Sequence, residues 1–197
     1  MATNHEIEFK QMITASIYNK LQEKYFKDSV LFKQVNYYID TPDFKLKEHR
    51  SALRIRVKDN QYEMTLKTPA KVGLIEYNYI VDIKPEMNLI ISNDNLPDDI
   101  RQIIVEQFGV KDTTLSILGA LTTYRQETKY KGDLLVLDKS EYFDTTDYEL
   151  EFEVKDYNQG SQKFQSLLNE LNLEHHQPLN KVQRFFKKKE TLSNNIN

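Results

Sequence analysis

The sequence predicts a mainly β protein of the α+β class, built as an eight-stranded antiparallel barrel with flanking helices. Two observations lead to this prediction. At least eight segments carry strand-like patterns with mostly short connections, and charged residues alternate with apolar ones along several of them. Short strands with short connections are typical of an antiparallel barrel or a sandwich. A sandwich gives no reason to sort charges by sign and spacing, so the barrel is favoured.

The first half of the chain predicts five strands and one helix. Residues 12–26 carry Ile13, Ile17 and Leu21 four residues apart, which is typical of an amphipathic helix. Thr41-Pro42-Asp43 is a turn signal, and a second turn at 59–61 closes a hairpin. The predicted strands are 6–10, 35–40, 52–58, 62–68 and 74–83.

The second half predicts three strands and further helices. A helix is expected over 97–109, because Pro97 suits a first helical turn and Gly109 suits a helix end. Strands are predicted at 121–130, 134–139 and 148–155, a helix at 161–171 and a short segment at 181–186. No linker or repeat divides the chain, so we expect one domain over 1–197, with its core at about 5–186 and a frayed polar tail from Lys187.

Composition excludes several classes of protein. Hydrophobic residues make up 39% and charged residues 29%, as in an ordinary soluble globular protein. A formal net charge of −3 gives no global field for nucleic acid or an anionic membrane, so neither partner is expected. The absence of cysteine excludes disulfides, thiolate metal sites and a cysteine nucleophile. The sequence shows neither a membrane-spanning apolar run nor a signal peptide, which predicts a cytoplasmic location.

Charged residues occupy alternate positions on several predicted strands, and therefore share one strand face. Leu53 and Ile55, for example, lie opposite Arg54 and Arg56. A solvated outer face also produces such alternation, so each ladder by itself fits two interpretations. The ladders are Glu6-Glu8-Lys10, Arg54-Arg56-Lys58, Thr65-Lys67, Arg125-Glu127-Lys129 and Glu149-Glu151-Glu153.

The glutamate ladder at 149–153 calls for a positive partner, either a metal or a basic side chain, because neighbouring carboxylates repel one another. Carboxylates suit Mg²⁺ or Mn²⁺, whereas guanidinium and ammonium groups suit phosphate oxygens. The candidate metal ligands on the ladders are Glu6, Glu8, Glu149, Glu151 and Glu153. The candidate phosphate ligands are Lys10, Arg54, Arg56, Lys67, Arg125, Lys181 and Arg184. A barrel of eight strands is about wide enough for one elongated ligand.

An ordered set of motifs resembles the CYTH superfamily, the triphosphate tunnel metalloenzymes, and is most similar to their bacterial YjbK-like branch. The resemblance runs from Glu6 to about Phe186, nearly the whole chain. E-x-E-x-K by itself is weak, but the set in this order is specific. Its members are Glu6-x-Glu8-x-Lys10, the turn Tyr38 to Asp43, Leu53 to Arg56, Thr65 to Lys67, Glu76, Arg125, Asp138, Glu149 to Glu153, and Asn180 to Arg184.

The resemblance implies a closed tunnel in which acidic residues hold one or two divalent metals and basic residues grip a triphosphate. It adds Glu76 and Asp138 to the metal ligands. It also implies a catalytic tyrosine–lysine pair, which corresponds to Tyr38 and Lys67, although alternation does not decide between Tyr38 and its neighbour Tyr37. Relatives often carry a second acid two residues after the Glu76 position, where this chain has Asn78. That departure puts a second metal in doubt.

The sequence therefore predicts a metal-dependent hydrolase acting on a triphosphate, with inorganic triphosphate as the first-choice substrate. Thiamine triphosphate hydrolysis and ATP cyclisation are alternatives in the same tunnel. A non-catalytic module that binds a triphosphate or polyphosphate is a third alternative, and Asn78 is the residue that motivates it. The oligomeric state stays open.

Overall fold

The computed structural model describes residues 2–110 and 115–194. Nine strands belong to a single sheet in this part of the chain. Their bounds are β1 Ala2–Ile13, β2 Phe32–Asp40, β3 Ala52–Lys58, β4 Gln61–Pro69, β5 Leu74–Ile80, β6 Ile90–Ile91, β7 Leu115–Tyr130, β8 Asp133–Tyr142 and β9 Thr145–Val154.

Five α-helices accompany the strands in the described ranges. Their bounds are α1 Ala15–Tyr25, α2 Lys45–Glu48, α3 Asp98–Gln102, α4 Tyr157–Glu170 and α5 Lys181–Asn194. A 3₁₀ turn precedes α3 at Asn93–Asn95, and a π-helical turn follows it at Ile103–Gln107. None of the helices in the described part of the chain is both long enough and apolar enough to cross a membrane.

The hydrogen-bonded strand order closes on itself. The order is β2-β3-β4-β5-β1-β9-β8-β7-β6, and β2 also pairs with β7, so eight strands form a closed circuit. Strand β6 pairs with the beginning of β7, where Ile90 lies opposite Ser116 and Ile91 lies opposite Leu115. This topology confirms the predicted closed eight-stranded antiparallel barrel with flanking helices.

The chain divides into two compact units, and each unit is formed by two segments that are far apart in the sequence. The first unit comprises Met1–Glu6 and Gln34–Leu121, and the second comprises Ile7–Lys33 and Thr122–Asn197. The three boundaries between them fall within β1, within β2 and within β7. The single-domain assignment stays a prediction.

The core of the first unit is formed by one face of its strands and by the α3 region. Ile55 of β3, Met64 and Leu66 of β4, and Ile100 and Ile104 are fully buried in it. The middle helix is shorter than predicted, since Pro97 caps α3 and the regular α-helix ends at Gln102. Gly109 follows with φ +68°, a conformation that glycine adopts without strain.

The core of the second unit joins β8 and β9 to α1 and α4. Leu21 of α1, Leu150 and Phe152 of β9, and Leu167 and Leu168 of α4 are fully buried. Helix α1 begins three residues later than predicted, because Met12 and Ile13 continue β1 and the Thr14 side chain accepts a hydrogen bond from the Ile17 amide.

Residues 188–194 differ from the predicted frayed tail, and the rest of that tail, 195–197, lies outside the described residues. Helix α5 continues to Asn194. Phe185 and Phe186 bury one side of its first half, and Lys188 forms an ion pair with Asp144 at 2.7 Å. Buried aromatic anchors and helix-favouring lysines explain why a polar sequence stays helical.

Helix α4 packs so closely on β9 that its glycine has no room for a side chain. A Cβ at Gly160 would lie 2.5 Å from Val154 Cγ2. We expect Gly160→Ala to lower the free energy of unfolding by about 1 kcal/mol, because overpacking costs about 1–3 kcal/mol and alanine's helix propensity offsets only part of it. Denaturant unfolding measures the difference. Gln162→Ala, an exposed position of the same helix, is the control and should change little; equal stability of both variants would contradict the packing.

Candidate active site

A triad of buried carboxylates lies on two neighbouring strands of the second unit. Asp138 of β8 pairs directly with Glu149 of β9, and Glu151 lies two residues further along β9. Asp138 and Glu149 are fully buried and Glu151 is 3% exposed. One carboxylate oxygen from each lies within 4.8 Å of the other two. Strand alternation directs all three to the face opposite Leu150 and Phe152.

Four basic side chains surround this triad. Arg125 of β7 donates from Nε and Nη2 to both oxygens of Asp138, at 2.8 and 2.7 Å, and from Nη2 to Glu151 at 2.7 Å. Lys181 Nζ contacts Asp138 at 2.8 Å, Glu151 at 2.5 Å, and Glu149. The other two are Arg184, which forms an ion pair with Glu149, and Lys10, which forms an ion pair with Glu151. The positive partner that the glutamate ladder called for is therefore present as basic side chains.

Arg184 is committed to acids and to the backbone. Its Nε donates to Asp147 at 2.9 Å, and its Nη1 donates to Glu149 and to the Leu179 carbonyl, both at 2.6 Å. These bonds hold the beginning of α5 against β9. In this arrangement Arg184 anchors the helix to the strand, and its role as a phosphate ligand stays a prediction.

The row of charged side chains continues beyond the triad along β1 and β9, with Lys10, Glu8 and Glu153. Across the β1–β9 pairing, Lys10 is opposite Glu151 and Glu8 is opposite Glu153. Lys10 Nζ lies 2.8 Å from Glu8 and 3.5 Å from Glu151. Predicted metal ligands and a predicted phosphate ligand therefore alternate along one strand face.

The pKa values of Glu149 and Glu151 shift in opposite directions, although the two residues are neighbours on one face of β9. Burial raises the pKa of Glu149, and the negative charge of Glu151 adds to that effect. Burial also acts to raise the pKa of Glu151, but the charges of Lys181, Lys10 and Arg125 outweigh it and hold that pKa well below its ordinary value. Glu151 is therefore the more acidic member of the pair.

The donor set of the triad fits a hard divalent cation. Mg²⁺ and Mn²⁺ prefer oxygen ligands, and the triad offers three carboxylates within one small buried volume. Asp138, Glu149 and Glu151 are the residues that would hold such a cation. The Lys181 ammonium currently interacts with the same oxygens.

A second charged cluster lies in the first unit around Lys67. Its Nζ lies 2.7 Å from Glu6 and 2.5 Å from Glu76. Burial acts to raise the pKa of Glu76, but the Lys67 ammonium and Arg54 outweigh it and lower that pKa to about 2. Two predicted metal ligands and one predicted catalytic residue therefore meet here.

The strand register of the first unit places Tyr38 on the polar face of the sheet and Tyr37 on the face that packs against the core. Tyr38 pairs directly with Arg54, and Arg54 pairs directly with Thr65, so these side chains share one face. Tyr37 packs against the hydrophobic core on the other face. The buried Arg54 Nε has no hydrogen-bond partner within the described ranges.

Asn78 takes part in hydrogen bonds on the same face. Its Oδ1 accepts from the Thr65 hydroxyl at 2.8 Å, and its Nδ2 donates to Glu76 at 3.4 Å. An amide here orients Glu76 and adds no negative charge. The departure from the family pattern therefore leaves Glu76 as the one acid of this motif.

Sequence reasoning missed two polar residues of these clusters. Asp147 binds Arg184, and Asn36 accepts a hydrogen bond from Arg56 Nε at 3.2 Å. Asp147 lies two residues before Glu149, so the same period of two could have identified it. Asn36 lies two residues before Tyr38, but no charge distinguishes it in the sequence.

The chain is similar to known proteins over most of its length. A family model described as CYTH domain matches residues 4–186. YjbK of Bacillus subtilis (strain 168), provisionally named a triphosphatase, is 34% identical over 196 residues, which span 96% of this chain and 98% of that protein.

Solved structures show the same fold. A provisionally assigned adenylate cyclase from Bacillus halodurans is 28% identical, with a TM-score of 0.77 over 94% of this chain and 100% of that one. HpAC1 from Hippeastrum, provisionally an adenylyl cyclase and described as having a dominant triphosphatase activity, is 22% identical, with a TM-score of 0.70 over 93% and 96%. At that identity the second likeness shows the fold alone.

The contact between Lys67 and Glu76 predicts that the pKa of Glu76 depends on the Lys67 ammonium. In Lys67→Met we expect the pKa of Glu76 to rise from about 2 by about one to three pH units, because burial then acts without the ammonium. Carboxyl ¹³C NMR measures this, with exposed Lys71→Met as the control.

The same contact has a consequence for stability. A depressed pKa in the folded state means that the carboxylate stabilises the protein above pH 4.5, its ordinary value, and that this contribution is lost as the pH falls towards about 2. The loss should be smaller in Lys67→Met than in the wild type. An unchanged Glu76 pKa would contradict the assignment of its partner.

Proposed function

Because the chain belongs to the CYTH domain family, we propose that it hydrolyses a phosphoanhydride bond of a triphosphate with the help of Mg²⁺ or Mn²⁺. The observation that carries this proposal is the buried triad of Asp138, Glu149 and Glu151 among basic side chains. Taking ionised groups out of water costs several kcal/mol per ion, and apolar residues would stabilise a barrel better. Such a cluster is favoured where it serves a charged ligand.

We assign the metal primarily to the triad, because its three carboxylates are all buried and lie within 4.8 Å of one another. Glu8 and Glu153, opposite each other on β1 and β9, extend the carboxylate face, and Glu6 and Glu76 belong to the cluster around Lys67. When bound, the metal would neutralise phosphate oxygens and lower the pKa of a water molecule. Ionised Glu151 is suited to the cation without a prior loss of a proton.

Arg54 and Arg125 are the strongest candidates for phosphate contacts. Arg54 has a buried Nε without a hydrogen-bond partner in the described ranges, so an anionic ligand would satisfy it. Arg125 uses Nε and Nη2 for its short bonds to acids, whereas its Nη1 lies 3.9 Å from Glu127. Arg56 and Lys10 would add positive charge.

Tyr38 and Lys67 are proposed to act on the attacking or leaving oxygen. Tyr38 shares a face with Arg54, a proposed phosphate ligand. Lys67 has three N–H donors and two carboxylate partners, Glu6 and Glu76. One donor is therefore available for a reacting oxygen.

Inorganic triphosphate is the proposed first-choice substrate, because the side chains assigned to ligand contacts are charged or polar. We expect phosphate release from tripolyphosphate with Mg²⁺ or Mn²⁺ and none in EDTA. Thiamine triphosphate and ATP are assayed in parallel, with cyclic AMP detection for ATP. Cyclic AMP as the main product would indicate a cyclase, and tight tripolyphosphate binding without turnover would indicate a binding module. Either result contradicts hydrolysis.

Arg54 tests the phosphate contacts. We expect Arg54→Ala to lower kcat/KM for tripolyphosphate by about 100-fold, because a charge-assisted donor to the reacting phosphates is lost. Arg101→Ala removes an exposed arginine of the same unit that pairs with Asp98, and should leave kcat/KM unchanged. Steady-state kinetics measures both. Equal activity of the two variants would remove Arg54 from the site.

A further inference from the structure

Lys181 contacts all three carboxylates of the triad. An ammonium group has three N–H donors. In the structure Lys181 Nζ has three carboxylate neighbours: Asp138 at 2.8 Å, Glu151 at 2.5 Å, and Glu149. Its side chain is 11% exposed. The contacts with Glu149 and Glu151 are hydrogen bonds and the contact with Asp138 is an ion pair, so the ammonium is directed at the triad while they hold.

A divalent cation and this ammonium need the same oxygens. A metal held by Asp138, Glu149 and Glu151 would bind the oxygens that Lys181 now contacts. Two cations that share these ligands would also repel each other strongly in a buried site. Metal binding at the triad and the present position of Lys181 therefore exclude each other.

The helix that carries Lys181 is fixed by other contacts. Arg184 binds Asp147, and Phe185, which is 1% exposed, stacks on Phe143 with ring centroids 5.0 Å apart. Lys188 adds its ion pair with Asp144. Lys181 lies at the first residue of α5, on a flexible four-carbon stem. Its ammonium can leave the triad while the helix stays in place.

We propose that Lys181 is a resident counter-cation of the triad, which withdraws when a divalent cation binds and then offers its donors to the triphosphate. The inference rests on the proposed metal-dependent function. It makes metal binding and triphosphate binding cooperative: Lys181 opposes the metal while no triphosphate is bound, and gains new partners once both ligands are present.

The test is Mn²⁺ titration calorimetry on the full chain without triphosphate. Lys181→Met keeps the length of the stem and removes the charge. We expect it to bind Mn²⁺ at least about tenfold more tightly than the wild type, because nothing then competes for the carboxylates. Lys188→Met, from the same helix, removes a lysine whose partner is the exposed Asp144 and should bind Mn²⁺ like the wild type.

Cooperativity gives a second readout. A non-hydrolysable, methylene-bridged triphosphate should raise the Mn²⁺ affinity of the wild type, and should raise that of Lys181→Met by a clearly smaller factor.

If Lys181→Met does not fold without metal, refolding in the presence of Mn²⁺ replaces the titration. Recovery by Mn²⁺ but not by the same concentration of Na⁺ would support the counter-cation role, and no recovery would overturn it.

The outcomes separate this inference from the proposed function. If the wild type binds Mn²⁺ and hydrolyses tripolyphosphate, but Lys181→Met binds Mn²⁺ no more tightly, the counter-cation role is wrong and the hydrolase stands. If neither protein binds Mn²⁺ and tripolyphosphate is not hydrolysed, both proposals fail.

Discussion

The buried carboxylates of the second unit impose the constraint on which the rest of that unit depends. Asp138 and Glu149 are fully withdrawn from water and face each other across two strands. Such a pair is stable only if positive charge reaches it from several directions. Arg125 comes from β7, Lys10 from β1, and Lys181 with Arg184 from α5. The strand order β1-β9-β8-β7, together with a docked C-terminal helix, brings these cations to one place.

Strand β9 separates stability from chemistry through its two faces. Leu150 and Phe152 are fully buried in a core formed with α1 and α4, which supplies the hydrophobic stabilisation. Glu149 and Glu151 on the opposite face add a cost in desolvation. Because the apolar face is covered by helices, the charged face can be optimised for a ligand while the fold is kept.

Each unit has a lysine that contacts several carboxylates, but Lys67 and Lys181 differ in the number of carboxylates they contact. Lys67 meets two carboxylates, Glu6 and Glu76, and Lys181 meets three. Lys67 donates a hydrogen bond to Glu6, whereas Lys181 donates hydrogen bonds to Glu149 and Glu151. The smaller number of partners supports the proposed role of Lys67 on the substrate, and the larger number supports the proposed role of Lys181 as a counter-cation.

The sequence by itself determined the strands, their charged faces and the glutamate ladder, because alternation along a strand is a local property with a period of two. Contacts between distant segments decided the rest. The β8–β9 register placed Asp138 opposite Glu149, and the β2–β3 register placed Tyr38, rather than Tyr37, opposite Arg54. Docking of α5 directed Lys181 onto the carboxylates and kept residues beyond Lys187 helical. No local pattern encodes these partners, because each depends on how segments far apart in the chain pair and pack.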